Sequence, residues 1–321
     1  MFYIYVTEPY ISTKYKMVDA MKFFKNAVNY LRSLCQNQRS LQAGLLLVII
    51  SGLSFLFYIS PSTDYIQTSK LYSESVSFES DSAAGGIGGG NIKGNCIYGK
   101  RALPIYSVEY APGGSSGNSK YISLSFDAAW GDEDTLQILD ILNKYNIKVT
   151  FFMTGGWVSA YPDMVKEIYS RGHDLGNHSE NHKEMSKLSV PEQKEEIQKV
   201  TDKVKELTGY EMFLFRPPYG DYNSTLVTTA YSLNYYPIQW SVDSLDWKDY
   251  GAENIIKTVT QNKDLGNGAI ILMHNGAKFT ASALDSVITN LINQGYTFVP
   301  ISELIIKQDF HMDGTGRQIA D

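Results

Sequence analysis

The segment Asp174-Leu175-Gly176-Asn177-His178-Ser179-Glu180-Asn181-His182 decides how the rest of the chain is read. Residues 174–177 have the character of a short strand running into a loop, and that loop carries two imidazoles four positions apart. On a helix or helical turn this spacing points both rings the same way, toward a single ion. Imidazole is the commonest protein ligand for zinc-like metals. Taken alone, a surface turn with two histidines explains the pair equally well. The chain has only 5 histidines, however, and chemistry at the end of a strand is the habit of an α/β protein.

Outward from this segment, short apolar runs alternate with longer amphipathic ones from Tyr121 onward. The runs predict strands at 122–126, 149–153, 174–177, 213–215, 236–240, 269–273 and 297–300. The stretches between them predict helices at 134–145, 162–171, 190–208, 224–233, 252–261 and 282–294. These space apolar residues three and four apart, as in Leu136, Leu139, Ile141 and Leu142. Asp132 or Asp134 is placed to start the first helix, Gly172 to end the second and Gly209 to end the third. Repeated βα units imply a parallel sheet, and one of this length closes readily into a barrel.

The flanks read differently. Residues 41–60, LQAGLLLVIISGLSFLFYIS, contain no charge and are long enough to cross a bilayer once. Lys22, Lys25, Arg32 and Arg39 precede this span and no basic residue comes after it until Lys70, which places residues 1–40 in the cytoplasm and the rest of the chain outside. The expected location is therefore the cell membrane, single-pass, with an extracytoplasmic domain in contact with the lipid bilayer through 41–60. Residues 61–118 are rich in Ser and Gly and read as a flexible linker, within which 103–108 could form a lead-in strand. Cys35 and Cys96 lie on opposite sides of the apolar span, so a bridge between them is not expected. A net charge of -6 argues against nucleic acid as a partner. The 23 tyrosines suit a surface built for stacking.

The residues just past each predicted strand test the barrel, because strand C-termini share one mouth. Asp127 stands after the first, His178 and His182 after the third, and Arg216-Pro217-Pro218-Tyr219-Gly220 after the fourth. The fifth leads to Asp243-Ser244-Leu245-Asp246-Trp247 and the sixth to His274. An amide needs a polarised carbonyl, an activated water and a proton for a poor leaving nitrogen, and a Lewis acid, a carboxylate and an imidazolium supply these.

The set SFDAAWG (125–131), HSENH (178–182), RPPYG (216–220), DSLDW (243–247) and LMH (272–274) resembles, in order and spacing, the five motifs of the polysaccharide deacetylases with a NodB homology domain. That is carbohydrate esterase family four, and the wording of the first and fourth motifs is most similar to its PdaB-like sporulation and peptidoglycan deacetylases. The resemblance covers about residues 119–306 and leaves 307–321 as a C-terminal tail. It implies a distorted (β/α)7 barrel, an N-acetylated glycan substrate such as cell-wall peptidoglycan, and one divalent metal, Zn2+ or Co2+. Carried over residue by residue, it makes Asp127 the general base, Arg216 its ion-pair partner, and His178 and His182 metal ligands. The Tyr219 backbone would donate to the oxyanion, Asp246 would orient the general acid His274, and Trp247 and Leu272 would line the acetyl slot.

One position departs from the pattern. The family places a third metal ligand, an aspartate, immediately after the base, and here the residue is Ala128. A water or substrate oxygen fills the gap, or Asp132, Glu133 or Asp134 swings in, or metal-assisted turnover is lost and a glycan-binding pseudoenzyme remains. An O-acetyl esterase is a further alternative on the same scaffold. Elsewhere, His173 reads as structural, His311 as solvated, Asp243 as a loop cap and Trp240 as core. Trp130 and Trp157 read as either packing or sugar-stacking residues. The charged run at 183–196 reads as a solvated helix face and its lead-in.

Overall fold

The structure, a computed structural model, describes residues 93–109 and 120–321. In chain order its strands are β1 (Lys93–Asn95), β2 (Ile97–Tyr98), β3 (Arg101–Ala102), β4 (Ser107–Val108), β5 (Lys120–Ala128), β6 (Thr150–Met153), β7 (Asp174–Asn177), β8 (Leu214–Phe215), β9 (Tyr236–Pro237), β10 (Val242–Asp243), β11 (Ala269–His274), β12 (Tyr296–Phe298), β13 (Gln308–Met312) and β14 (Arg317–Ala320). The helices are α1 (Thr135–Lys144), α2 (Gly155–Ala160), α3 (Pro162–Ser170), α4 (Val190–Thr208), α5 (Ser224–Ser232), α6 (Ala252–Thr260), α7 (Thr280–Asn293) and α8 (Ile301–Leu304). The predicted α/β class is what the chain adopts.

β5 shows why the sheet has two buried faces. Its even positions Ile122, Leu124, Phe126 and Ala128 pack into the apolar layer under the helices. Its odd positions Ser123, Ser125 and Asp127 are buried and polar and turn the other way, as strand alternation requires. Ser123 and Ser125 each donate a hydroxyl to a backbone carbonyl, of Val299 at 2.6 Å and of Ile271 at 2.8 Å. The same alternation divides β11: Ala269, Ile271 and Met273 join the helix-side layer, and Ile270 joins a second cluster with Phe152, Leu214 and Ile238. The sheet thus wraps around an apolar interior.

The wrapping is a curl. β11, β5, β6, β7, β8 and β9 pair in that order, all parallel. The strand predicted over 236–240 keeps its pairing with β8 only as far as Ile238, whose N–H reaches Phe215 O at 2.7 Å. The chain then changes partner: Gln239 N–H reaches Ile105 O at 2.8 Å, Ser241 N–H reaches Ile270 O at 3.0 Å, and β10 pairs with β11. β12 pairs with the first residues of β5, below the stretch that pairs with β6. The distortion of the expected barrel lies in this partner switch and this split.

α4 matches its predicted limits because both ends carry strong signals. Ser189 and Glu192 form a capping box, the Ser189 N–H meeting Glu192 Oε2 at 2.8 Å, and Gly209 at φ 73° closes the helix. Its residues Ile197, Val200 and Val204 are fully buried at helical spacing.

Several expectations are corrected. Residues 307–321 are not a tail: β13 and β14 pair antiparallel, and Phe310, Met312 and Gln318 are buried. Residues 93–109 are not linker: β1 pairs with β13, and β4 pairs with both β14 and β11. Gly268, at φ 82°, leaves no room for a side chain where β4 meets β11, since an added Cβ would collide with the Val108 carbonyl. α2 lies in a stretch for which the sequence predicts no helix, beginning at Gly155-Gly156 with Thr154 Oγ1 accepting from Trp157 N–H at 3.1 Å. The cytoplasmic segment 1–40, the apolar span 41–60 and the linker residues 61–92 and 110–118 lie outside the described residues. Among the described residues no helix is long and apolar enough to cross a membrane.

Candidate active site

Asp127 stands at the end of β5, buried, with its Oδ1 accepting from Arg216 Nη1 at 2.7 Å. Arg216 comes directly after β8, has no exposed surface, and its guanidinium carbon lies 4.1 Å from the centre of the Phe152 ring. Burial by itself would raise the Asp127 pKa, but the Arg216 charge overcomes it and holds the carboxyl below its ordinary range. The expected ion pair of base and arginine is present.

His178 comes directly after β7 and is buried. Its Nδ1 lies 2.7 Å from the Arg216 carbonyl oxygen, which can only accept, so Nδ1 carries the proton. Its Nε2 lone pair then faces Asp127 Oδ2 at 3.5 Å. The ring of His182 is 4.9 Å from that of His178, centre to centre. Burial lowers the pKa of both, that of His182 to about 3 with His178 adding to the effect. Both rings are therefore neutral near pH 7.

The pair is not helical, which corrects the first expectation. Residues 178–184 are loop, and left-handed turns at Ser179 (φ 64°) and His182 (φ 52°) bring the rings together. Side chains set that loop: Asn177 Oδ1 accepts from Ser179 N–H at 3.0 Å, and Ser179 Oγ from His182 N–H at 3.1 Å. Glu196 of α4 accepts from the Asn181 N–H and side-chain amide, both at 2.8 Å. Glu196 and Gln193 belong to the run read as solvated, yet both are buried. Tyr219 also sits at positive φ (61°), mostly exposed, its ring 4.4 Å from that of His182. Non-glycine residues in this region store strain, and such residues concentrate at functional sites.

His274 ends β11 and is register-paired with Asp127 on β5. Its Nδ1 and backbone nitrogen meet the two oxygens of Asp246, each at 2.7 Å, and Thr280 Oγ1 donates to the second of them at 2.7 Å. Burial works to lower the His274 pKa, and the bond to Asp246 with its charge overcomes that and raises it. Sequence reasoning misses Thr280, because nothing in its neighbourhood marks a residue 34 positions from its partner. Leu272 shares a strand face with His274 and is buried, and Trp247, beside Asp246, is half-exposed. Asp243 caps its own loop as read, accepting from Leu245 N–H at 2.8 Å.

The metal expectation meets a short donor set. The two neutral imidazoles offer lone pairs of the kind a cation takes, whereas the Asp127 carboxylate beside them is engaged by Arg216. Hydrolytic zinc sites, however, offer three protein ligands. Ala128 is buried in the helix-side apolar layer. Asp134 does not turn inward: its Oδ1 accepts from Gly276 N–H at 2.7 Å instead of capping α1. Among the described residues no group of three His, Cys, Asp or Glu side chains is arranged to hold a metal ion. The residues present do not complete the expected divalent-metal site.

Of the remaining candidates, His173 is structural: its Nδ1 accepts from Val149 N–H at 3.2 Å at the opposite end of the strands. His311 is partly exposed and lies 2.7 Å from Asp321 Oδ1. Trp157 is buried, with its Nε1 donating to Gly131 O at 3.0 Å, whereas Trp130 is exposed beside His274.

Residues 114–238 match the polysaccharide deacetylase family model. The peptidoglycan-N-acetylglucosamine deacetylase PgdA of Listeria monocytogenes is 39% identical over 205 residues, which are 64% of this chain and 43% of PgdA, so the chain spans less than half of that relative. The peptidoglycan-N-acetylmuramic acid deacetylase PdaA of Bacillus subtilis is 32% identical over 201 residues, 60% of this chain and 74% of PdaA. Among solved structures, BA3943 of Bacillus anthracis, a CE4 family pseudoenzyme, is 34% identical with a TM-score of 0.57, over 60% of this chain and 67% of that one. A mutant of it with restored enzymatic activity is 36% identical, also with a TM-score of 0.57, over 60% and 69%.

Proposed function

The chain belongs to the polysaccharide deacetylase family, hydrolases acting on N-acetyl amides, and from that premise we propose that it removes N-acetyl groups from the amino sugars of cell-wall peptidoglycan. One observation carries the reading. Asp127, held ionised by Arg216, and His274, held proton-rich by Asp246, occupy paired positions on adjacent strands. Two titratable groups whose surroundings push their protonation apart are the requirement for base and acid in one turnover.

In this scheme Asp127 takes a proton from the attacking water, and the Tyr219 N–H donates to the oxygen that becomes negative. His274 gives its Nε2 proton to the departing amine, while Asp246 keeps the ring oriented through Nδ1. Trp247 and Leu272 bound the space for the acetyl methyl. Family deacetylases generally depend on a divalent metal. His178 and His182 present two neutral rings toward the same space, but the set is one ligand short. Residues 41–60 would hold the domain on the outer side of the cell membrane, beside its wall substrate.

Acetate release from an N-acetylglucosamine polymer, measured with added Zn2+ or Co2+ and with chelator, tests the proposal. Asp127→Asn is expected to lower the rate by about 10²–10⁴-fold. A wild-type chain that releases no acetate with any metal overturns catalysis. It leaves the second reading, a glycan-binding pseudoenzyme, which Ala128 and the likeness to BA3943 favour.

A further inference from the structure

Trp130 carries an inference that the proposed chemistry does not use. About half of the residue is exposed, 51%, yet its ring lies over the site, 5.5 Å from the His274 ring and 6.4 Å from that of His182. Its indole N–H makes no hydrogen bond among the described residues. The backbone beneath it is tied down. Gly131 O accepts from Trp157 Nε1 at 3.0 Å and from Asn275 Nδ2 at 3.2 Å, and Asn275 Nδ2 also donates to Thr135 Oγ1 at 2.9 Å. The Asp134–Gly276 bond anchors the far end of the loop. Gly276, at φ 72°, packs beside it: a Cβ there would lie in ordinary contact, 3.6 Å from the Trp130 Cβ.

A large apolar face left in water, on a loop fixed from two sides beside the acid, has the form of a preorganised platform. Its ordering cost is met in the free protein, as tight recognition of a weakly apolar ligand demands. We infer that Trp130 is the sugar-stacking platform of this site: the C–H face of a pyranose ring lies on the indole, and the acetamido substituent of that sugar enters between Asp127 and His274. The direction of the acetamido group rests on the deacetylase reading, whereas the stacking itself does not. Tyr219, on the His182 side, bounds the other edge of the same mouth. Trp157 serves differently, since its buried ring and its N–H are spent on holding the Trp130 loop.

The test uses the full chain in an Asp127→Asn background, with the N-acetylglucosamine tetramer as probe. Trp130→Ala is expected to raise its Kd about tenfold and Trp130→Phe less than about threefold, the scale of an aromatic stacking contact. Saturable quenching of tryptophan fluorescence by the tetramer is expected in the parent and strongly reduced in Trp130→Phe. With Asp127 restored, Trp130→Ala should raise KM for the polymer by a larger factor than it lowers kcat. An unchanged Kd in a Trp130→Ala chain with parental thermal stability overturns the platform, as does a parent that shows no saturable binding. The two readings fail separately. Weakened binding in Trp130→Ala without acetate release by wild type sinks only the deacetylase, and acetate release with an unmoved KM sinks only the platform.

Discussion

Arg216 is a fully buried cation whose charge is answered by Asp127. Replacing it with Met leaves a buried carboxylate alone and is expected to cost about 3–5 kcal/mol. Adding Asp127→Asn should return a large part of that loss. Urea unfolding of the two single variants and the double variant reads the coupling, and strictly additive losses would contradict the pairing. At the acid, Asp246 lifts the His274 pKa, and the group acts while protonated. Activity should therefore fall as pH rises through that raised value, and Asp246→Asn should move the alkaline limb to lower pH. His173 works in the opposite direction. Burial, with Lys148 and Arg171 nearby, lowers its pKa to about 4 from an ordinary 6.5. The unfolded chain then takes up the proton first, so stability is kept above pH 6.5 and lost as pH falls toward 4, by about 3 kcal/mol. His173→Gln should lose less between pH 7 and pH 4.5 in denaturant midpoints. A wild-type acid profile shared by the variant would refute it. Asp127, Arg216, His178, His182, Asp246 and His274 were legible because each stands just past an apolar run or in the loop beyond one. Thr280 and Glu196 were not, since the partners that give them meaning lie 34 and 15 residues away.

Among the elements, strands and helices with two clear ends are legible almost residue for residue, as β7 and α4 show. Features that depend on contacts between elements are not. The imidazole pair suggests a helix by its spacing, but the loop is built from left-handed residues and from Glu196 of the next helix. The β13–β14 hairpin does carry a signal, apolar Phe310 and Met312 in alternation before the Asp313-Gly314-Thr315-Gly316 turn. Its partner β1 lies in a stretch that composition marks as tether, so neither half announces the other. Phe310 is fully buried there, and Phe310→Ala is expected to cost about 3–5 kcal/mol in chemical unfolding. A loss below about 1 kcal/mol would mean the hairpin is peripheral to the fold.

For the whole molecule, the proposed anchor at 41–60 precedes in sequence the curled sheet whose mouth gathers the site. The full chain should sediment with membranes and be released by detergent but not by salt, and a chain lacking residues 1–60 should stay in the supernatant; recovery of the intact chain there would remove the anchor. The location of the chemistry within the curl has a less obvious consequence. Asp127 and His274 face one another because the β5–β11 ladder counts residues from Ile122 opposite Ala269 onward. Inserting or deleting one residue inside either strand would swing one of the two to the side occupied by helices. Loops elsewhere can lengthen freely without touching this arithmetic. The ladder is a ruler, and the distance between proton acceptor and proton donor is graduated on the main chain.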